Sequence, residues 1–422
     1  MAVGAGLSAS FGIATETTPG VPVAVTRFVE FDSESIAMKK HTVQGAGLRN
    51  GARVKRSARR ILTGREFNGD VQFDPTTNGF GLFLQHMLGS TPGAPTSIGG
   101  GLFRQVHNTG PLSGKSFTAQ VLRPDTSGVL TQGAFTYTGC KITDWELSAK
   151  ANEQLQAKFT IDALDEATPS NGFAATTLSA LTTAGATSFT AVASIPAGSW
   201  VVVDTGANAE VVQTGTPSGA GPYTIPVSSA GGLKVGHATG VYVGSATGVN
   251  YGAATALQTA SYNATTTLFG FNNGSLIAGG TTATTGGLYT NTGGQVVANV
   301  TSVTISGKNA VDTGRFSLGS SIRSEQLDNG WAEYTADVEV EYSGRAFYDA
   351  YAADLQIDLQ LTFTSPGGNV LTITAPAGFQ DDGATPNVGG PDLITQKLKF
   401  TLLDDGVNGP IQAVYVSTDA AV

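Results

Sequence analysis

The sequence predicts a mainly β protein: two antiparallel β-sandwich modules, each with one short α-helix, and a small β domain inserted between them. Three observations carry that expectation: a composition rich in turn and β-branched residues, stretches of alternating polarity, and a repeat of the chain upon itself. The 422 residues include 56 glycines, and only 13% are charged. Branched side chains suit a pleated surface, while glycine serves the turns between strands.

The repeat is found by sliding the chain along itself. At a constant offset of 267 residues, Ser35-Ile36 falls on Ser302-Val303 and Met38 on Ile305. The same offset places Arg56-Ser57 on Arg323-Ser324, Glu66 on Glu333, Asp70-Val71 on Asp337-Val338 and Phe80 on Phe347. Later, Lys158-Phe159-Thr160 matches Lys399-Phe400-Thr401 at an offset of 241, so the second copy is 26 residues shorter in between.

Each half reads in the same order. An alternating stretch (FVEFDSESIAM or VVANVTSVTIS) suits a half-buried strand and leads into a long polar connection. A second alternating stretch follows (REFNGDVQFD or WAEYTADVEVEY), then a helix-like segment, NGFGLFLQHMLG or SGRAFYDAYAAD. Gly89 closes the first helix-like segment, and Phe347, Tyr348 and Tyr351 recur at helical spacing in the second. Further strand-like stretches complete each half. The expected division is an N-terminal arm over 1–30, a first module over 31–170, an inserted β domain over 176–243, a linker and arm over 244–294, and a second module over 295–422. Gly- and Pro-punctuated strands such as AGSWVVVDTG mark the insert.

Composition also excludes several classes of function. A net charge of −9 argues against a general nucleic-acid binder, which needs a basic surface to neutralise phosphates. Cys140 is the single cysteine, so neither an intrachain disulfide nor a cysteine-based zinc site can form. His41, His86, His107 and His237 show no paired ligand spacing, and neither a phosphate loop nor a nucleophile motif occurs. The turn acids Asp381-Asp382 and Asp404-Asp405 read as turn formers, and Trp145, Trp200 and Trp331 as core or interface aromatics. No cofactor is expected. The N-terminal stretch lacks the pattern of a signal peptide, and no apolar run approaches the ~18 residues of a membrane span.

Two charged features stand out. Along the second alternating stretch of each half, the acids share one face of the strand. They are Glu66, Asp70 and Asp74 in the first half, and Glu333, Asp337, Glu339 and Glu341 in the second. The connection between Glu34 and Glu66 carries no acid but holds Arg49, Arg53, Lys55, Arg56, Arg59 and Arg60 among its cations. The corresponding connection of the second half, AVDTGRFSLGSSIRSEQLDNG, is mixed in charge.

The order of a flexible arm (ASFGIATETTPG), a strand, the long loop TVQGAGLRNGARVKRSARR, a returning strand, a short helix ending HMLG and a closing hairpin resembles the major tail tube proteins of long-tailed bacteriophages. The resemblance covers roughly residues 1–166 and 296–422, and the insert is similar to small β modules that decorate phage structural proteins. It implies a virion tail subunit, assembled in the host cytoplasm, whose rings of six modules stack into a tube. With two modules per chain, a trimeric, pseudo-hexameric ring is expected. Implied partners are further copies of the chain, the tape measure protein, tail terminator and tail tip proteins, and passing double-stranded DNA; no membrane is implied. On this resemblance the acidic strand faces line the lumen and the basic loop bridges rings. Competing readings are the tube of a contractile secretion-type apparatus and an extracellular β-rich adhesin or binding module.

Overall fold

The computed structural model describes residues 6–51, 53–124, 134–167, 176–205, 208–228, 231–245, 257–263, 266–318, 320, 322–386 and 388–422. The first half contains β1 (Ser10–Thr15), β2 (Arg27–Val29), β3 (Ser33–Glu34), β4 (Ala37–Gln44) and β5 (Arg60–Phe73), then helix α1 (Gly81–Leu88). It continues with β6 (Thr96–Gly99), β7 (Leu102–Asn108), β8 (Phe117–Leu122), β9 (Ala134–Lys150), β10 (Gln156–Ala163) and β11 (Asp165–Ala167). The insert holds β12 (Thr176–Thr177), β13 (Ser188–Ala191), β14 (Trp200–Val203), β15 (Glu210–Gln213), β16 (Tyr223–Pro226) and β17 (Tyr242–Ser245). The second half has β18 (Gly274–Ala278), β19 (Thr281–Thr285), β20 (Leu288–Thr292), β21 (Gln295–Val296), β22 (Val300–Lys308) and β23 (Glu333–Glu341). Helix α2 (Ala346–Ala352) follows, with β24 (Ile357–Thr364), β25 (Val370–Asp382), β26 (Thr395–Leu403) and β27 (Gln412–Ser417).

All named pairings are antiparallel, and they repeat between the halves. In the first, β4 pairs β5, β5 pairs β10 and β10 pairs β9. In the second, β22 pairs β23, β23 pairs β26 and β26 pairs β25. The outer strands repeat as well: β18 pairs β21 and β24 as β1 pairs β2 and β8. Thus part of the stretch 244–294, read from sequence as linker and arm, is a sheet strand, while its residues 246–256 lie outside the described residues. The β6–β7 hairpin has no counterpart between α2 and β24, which explains the shorter second copy. Its strand β7 pairs β27 of the other half.

The two halves are one sheet. Strand β9 is 17 residues long: its first part pairs β8 and β11, and its last part pairs β10 on one edge and β22 on the other. The order β4–β5–β10–β9–β22–β23–β26–β25 is therefore continuous across the two modules. At the seam Gly307 lies opposite Trp145, and a Cβ there would come within 2.3 Å of the indole ring. Only a glycine leaves room for the indole over β22, where it also meets Tyr334 at 6.1 Å.

Helix α1 is almost wholly buried and ends at Gly89, whose left-handed conformation (φ 64°) stops it as the sequence predicts. Its Phe83 stacks on Phe159 at 5.7 Å and packs against Phe73 at 4.7 Å. Helix α2 buries no residue completely. The insert has a separate core of Leu178, Phe189, Ile195, Val201, Val203 and Ile225.

The connection between β22 and β23 lies back over the first module. Arg323 reaches Asp162 at 2.7 Å with both side chains nearly inaccessible, and Gln326 donates to the other carboxylate oxygen at 2.9 Å. Lys141 donates to Leu112 O and Glu325 at 2.9 Å, while the Asp328 carboxylate accepts from Ser113 Oγ at 2.9 Å. Burial pushes the Asp162 carboxyl up, and Arg323 offsets only part of that. Charges this deep are costly unless paired, so each partner depends on the other. Replacing Asp162 with Ala leaves Arg323 buried and unpaired; urea unfolding should show a loss of about 3–5 kcal/mol.

Two buried histidines make stability depend on pH. Burial, helped by the Lys115 ammonium, lowers the His86 imidazole to about 3, and burial lowers His107 to about 4. Both are satisfied in the neutral form, by Thr15 Oγ1 at 3.0 Å and by Ser90 Oγ at 3.0 Å. A folded pKa below the free value of 6.5 means that stability is complete above pH 6.5 and falls as the unfolded chain takes up protons the native state refuses. Between pH 6 and 4 the loss should approach about 1.4 kcal/mol per pH unit for each histidine. Denaturant titrations at several pH values should show this slope, reduced by His107→Gln.

Candidate assembly surfaces

The continuous sheet has one face in the core and one outside it. On β23, Tyr334, Ala336, Val338 and Val340 are buried, whereas Glu333, Thr335, Asp337, Glu339 and Glu341 occupy the opposite face. On β5, Phe67, Val71 and Phe73 are buried, and Glu66, Asn68, Asp70 and Gln72 turn away, with Asp74 just beyond. Strand alternation alone produces this division. Six of the seven acids singled out from the sequence belong to this polar face, and Asp74 follows at the end of β5.

Sequence reasoning missed what stands beside them. Strand β9 adds Asp144 and Glu146 and strand β25 adds Asp381 and Asp382, while β10 and β26 bring Lys158, Lys397 and Lys399 to the same face. Lys158 approaches Asp70 at 3.1 Å, Lys397 approaches Glu339 at 4.0 Å, and His41 sits 3.0 Å from Glu66. Asp337 lies directly opposite Lys399. Partial burial raises the Asp70 carboxyl, but the Thr160 hydroxyl and the Lys158 ammonium outweigh it and hold the group below the usual range. The face is therefore striped, with rows of acid bordered by rows of lysine. The alternation of lysine in KLKFT was the signal available in the sequence.

Beyond His41 and Gly64, strands β4 and β5 run on together as a hairpin that leaves the body. Arg49, Arg53, Lys55, Arg56, Arg59 and Arg60 are all exposed on it, as are the apolar side chains Leu48, Val54 and Ile61. Its base is held by Gly45 N donating to Arg59 O at 3.0 Å and Gln44 Nε2 donating to Arg56 O at 2.9 Å. The two connections thus behave differently. Arg323 is buried against the first module, while Arg56, its counterpart in the repeat, is exposed. The difference in charge between the loops has a structural basis: the mixed loop has acids and bases to match the surface it covers.

The remaining candidates resolve simply. His86 is buried in α1, Trp145 lies in the seam, and Trp331 and Trp200 are exposed. Asp404 and Asp405 accept from Gly406 N at 2.7 Å and Val407 N at 2.7 Å, which makes them turn formers. Among the described residues, no group of three His, Cys, Asp or Glu side chains is placed to hold a metal ion, and no helix is long and apolar enough to cross a membrane.

A family model described as phage tail tube protein matches the chain twice, over residues 6–219 and 205–402. No curated protein matches it. The paired match falls on a chain whose halves share strand order and a common sheet; this chain belongs to the phage tail tube proteins, as a structural component of the virion tail with its tube module present twice.

Proposed function

We propose that three copies of the chain close side by side into a ring of six modules, and that such rings stack into a tube enclosing the tape measure protein and later conducting DNA. The observation that carries this reading is the pairing of β9 with β22. Two modules already stand shoulder to shoulder within one chain, hydrogen-bonded strand to strand, and among the described residues β4 at one end of the joined sheet and the last residues of β25 at the other keep a free edge. A unit with two different edges associates head to tail, and such contacts generate a ring when the rotation closes. Tail terminator and tail tip proteins would cap the ends, and assembly would take place in the host cytoplasm.

Geometry allows a bore of the necessary size. Strands ~4.8 Å apart and tilted ~40° each take roughly 6.3 Å of circumference. Three eight-stranded sheets make about 24 strands and a barrel of about 48 Å across the backbone, roughly 38 Å once side chains are allowed for. An eight-stranded barrel closed by one chain would be filled by its own side chains. The polar face turns inward in this arrangement. Its acids Glu66, Asp70, Asp74, Glu333, Asp337, Glu339 and Glu341 repel phosphate, so the duplex passes without being held by counterion release. The lysine rows between them keep the wall from repelling itself apart. The role is structural rather than catalytic.

The hairpin carrying Arg49, Arg53, Lys55, Arg56, Arg59 and Arg60 extends along the strand direction, which in a barrel of tilted strands has its larger component along the axis. It reaches the adjacent ring and is attracted by its acidic surface, with the exposed apolar side chains buried on contact. The insert, with its own core, projects outward.

Electron microscopy of the purified chain should show tubes of stacked rings with peripheral density for the insert, and native mass measurement three 43.0 kDa chains per ring. Monomers without a bore would refute the reading. Tubes made by the double variant Arg56→Glu, Arg59→Glu should be markedly shorter at low salt, and wild-type tubes should shorten as salt is raised. Unchanged length in both cases would remove the hairpin from stacking.

A further inference from the structure

Aligned at its sequence offset, the internal repeat offers a template for how one chain meets the next. At the seam inside the chain, Ser306 lies opposite Glu146, Gly307 opposite Trp145 and Lys308 opposite Asp144. The offset of 267 carries Ser306, Gly307 and Lys308 of β22 back to Lys39, Lys40 and His41 of β4. The counterparts of the β9 residues follow from their neighbours. Glu146, Trp145 and Asp144 pair with Lys158, Phe159 and Thr160 of β10. The offset of 241 takes these to Lys399, Phe400 and Thr401, which pair with Asp382, Gln380 and Phe379 of β25.

Among the described residues, both strands are free at these positions. Strand β4 pairs only with β5 among the described residues. Strand β25 pairs β24 as far as Gly378, and from Phe379 to Asp382 its pairing is with β26 alone. Strand β9 is likewise covered by β8 up to Cys140 before β22 takes over the same edge. The edge of β25 carries an unusual group as well: Gln380 is 7% exposed, and among the described residues neither its Oε1 nor its Nε2 has a hydrogen-bond partner. A buried amide without partners is costly and calls for something to complete it.

We propose that β4 of one copy adds to the free edge of β25 of a second copy, antiparallel, with Lys39 opposite Asp382, Lys40 opposite Gln380 and His41 opposite Phe379. This rests on the ring reading above and fixes its register. Lys39 is on the polar face of β4, where it donates to Asn68 at 2.5 Å, and meets Asp382 on the polar face of β25. Lys40 is on the other face, so its ammonium meets the amide of Gln380 and donates to Oε1. Charge complementarity singles out this pairing of edges: adjacent lysines enter beside Asp381 and Asp382. The joint between chains differs in kind from the seam within a chain. The seam has an indole packed on a glycine and a strap of buried ion pairs, while the joint has cation against carboxylate and cation against amide. It is the joint that salt should open first.

Zero-length carbodiimide coupling of assembled wild-type tubes, followed by peptide mass mapping, tests the register. Lys39 should be recovered joined to Asp382 or its neighbour Asp381. Within a single chain these residues lie on opposite edges of the eight-stranded sheet, about 34 Å apart at ~4.8 Å per strand, too far for such a link. In parallel, Lys39→Asp and Asp382→Lys should each cut ring yield about tenfold by placing like charges opposite each other, and the double variant should restore it. Tubes that give no such link, with no restoration in the double variant, would overturn the register and leave the tube reading standing. Wild-type chains that make neither rings nor tubes would overturn both.

Discussion

The structure depends on the hydrogen-bonded seam between β9 and β22. Strand β9 belongs to the outer sheet along its first part and to the common sheet along its last, so it ties each layer of the first module to the second. The seam needs flatness, because an indole must lie where β22 passes. Gly307 provides it by having no side chain at all. Around this line the modules share strands, with β7 pairing β27, and a strap of charged residues from the second module is buried in the first. Neither half could be removed without exposing a row of unpaired backbone groups and stranding Arg323 or Asp162.

Duplicated units that occupy non-equivalent places need not stay alike, and here they have not. Helix α1 and the residue that precedes it supply much of the aromatic core through Phe83 and Phe80, whereas α2 buries no residue completely. One long connection has become a strap on a neighbour that is always present; the other stays outside, basic and partly apolar. Equivalent sequence positions thus face a covalently attached partner in one case and open solvent in the other. The charges follow that distinction, with buried matched pairs in the strap and unmatched cations on the hairpin.

Much of the fold was legible in the sequence because strand alternation and turn residues act locally. The polar and apolar sides of β5 and β23, the helix stop at Gly89 and the repeat of element order all follow from spacing along the chain. Three things were not legible, for a common reason. The placement of β18 beside β24, the lysines of β10 and β26 between acidic rows, and the burial of Arg323 on Asp162 depend on which strands become neighbours, and local spacing does not say so. Trp331 and Trp200 illustrate the same limit, since an aromatic in a strand-rich chain does not announce which face it takes. Gln380 is the clearest case, an unremarkable residue in sequence whose isolation appears only when the edge around it is built.

Joining two modules by a peptide chain would also alter the kinetics of building the proposed ring. Six separate modules would have to find one another through six lateral encounters, each losing translational and rotational freedom. If the chain closes into the proposed ring, one encounter in every two is intramolecular, at the high effective concentration that a covalent tether provides. Nucleation of the proposed ring would then scale with roughly the third power of subunit concentration instead of the sixth, so a tube could begin when the protein is still scarce. The cost would be symmetry: in the proposed ring of three chains only every second position around the circumference could carry an insert or a free hairpin, and whatever docked on the outside would find three sites per ring.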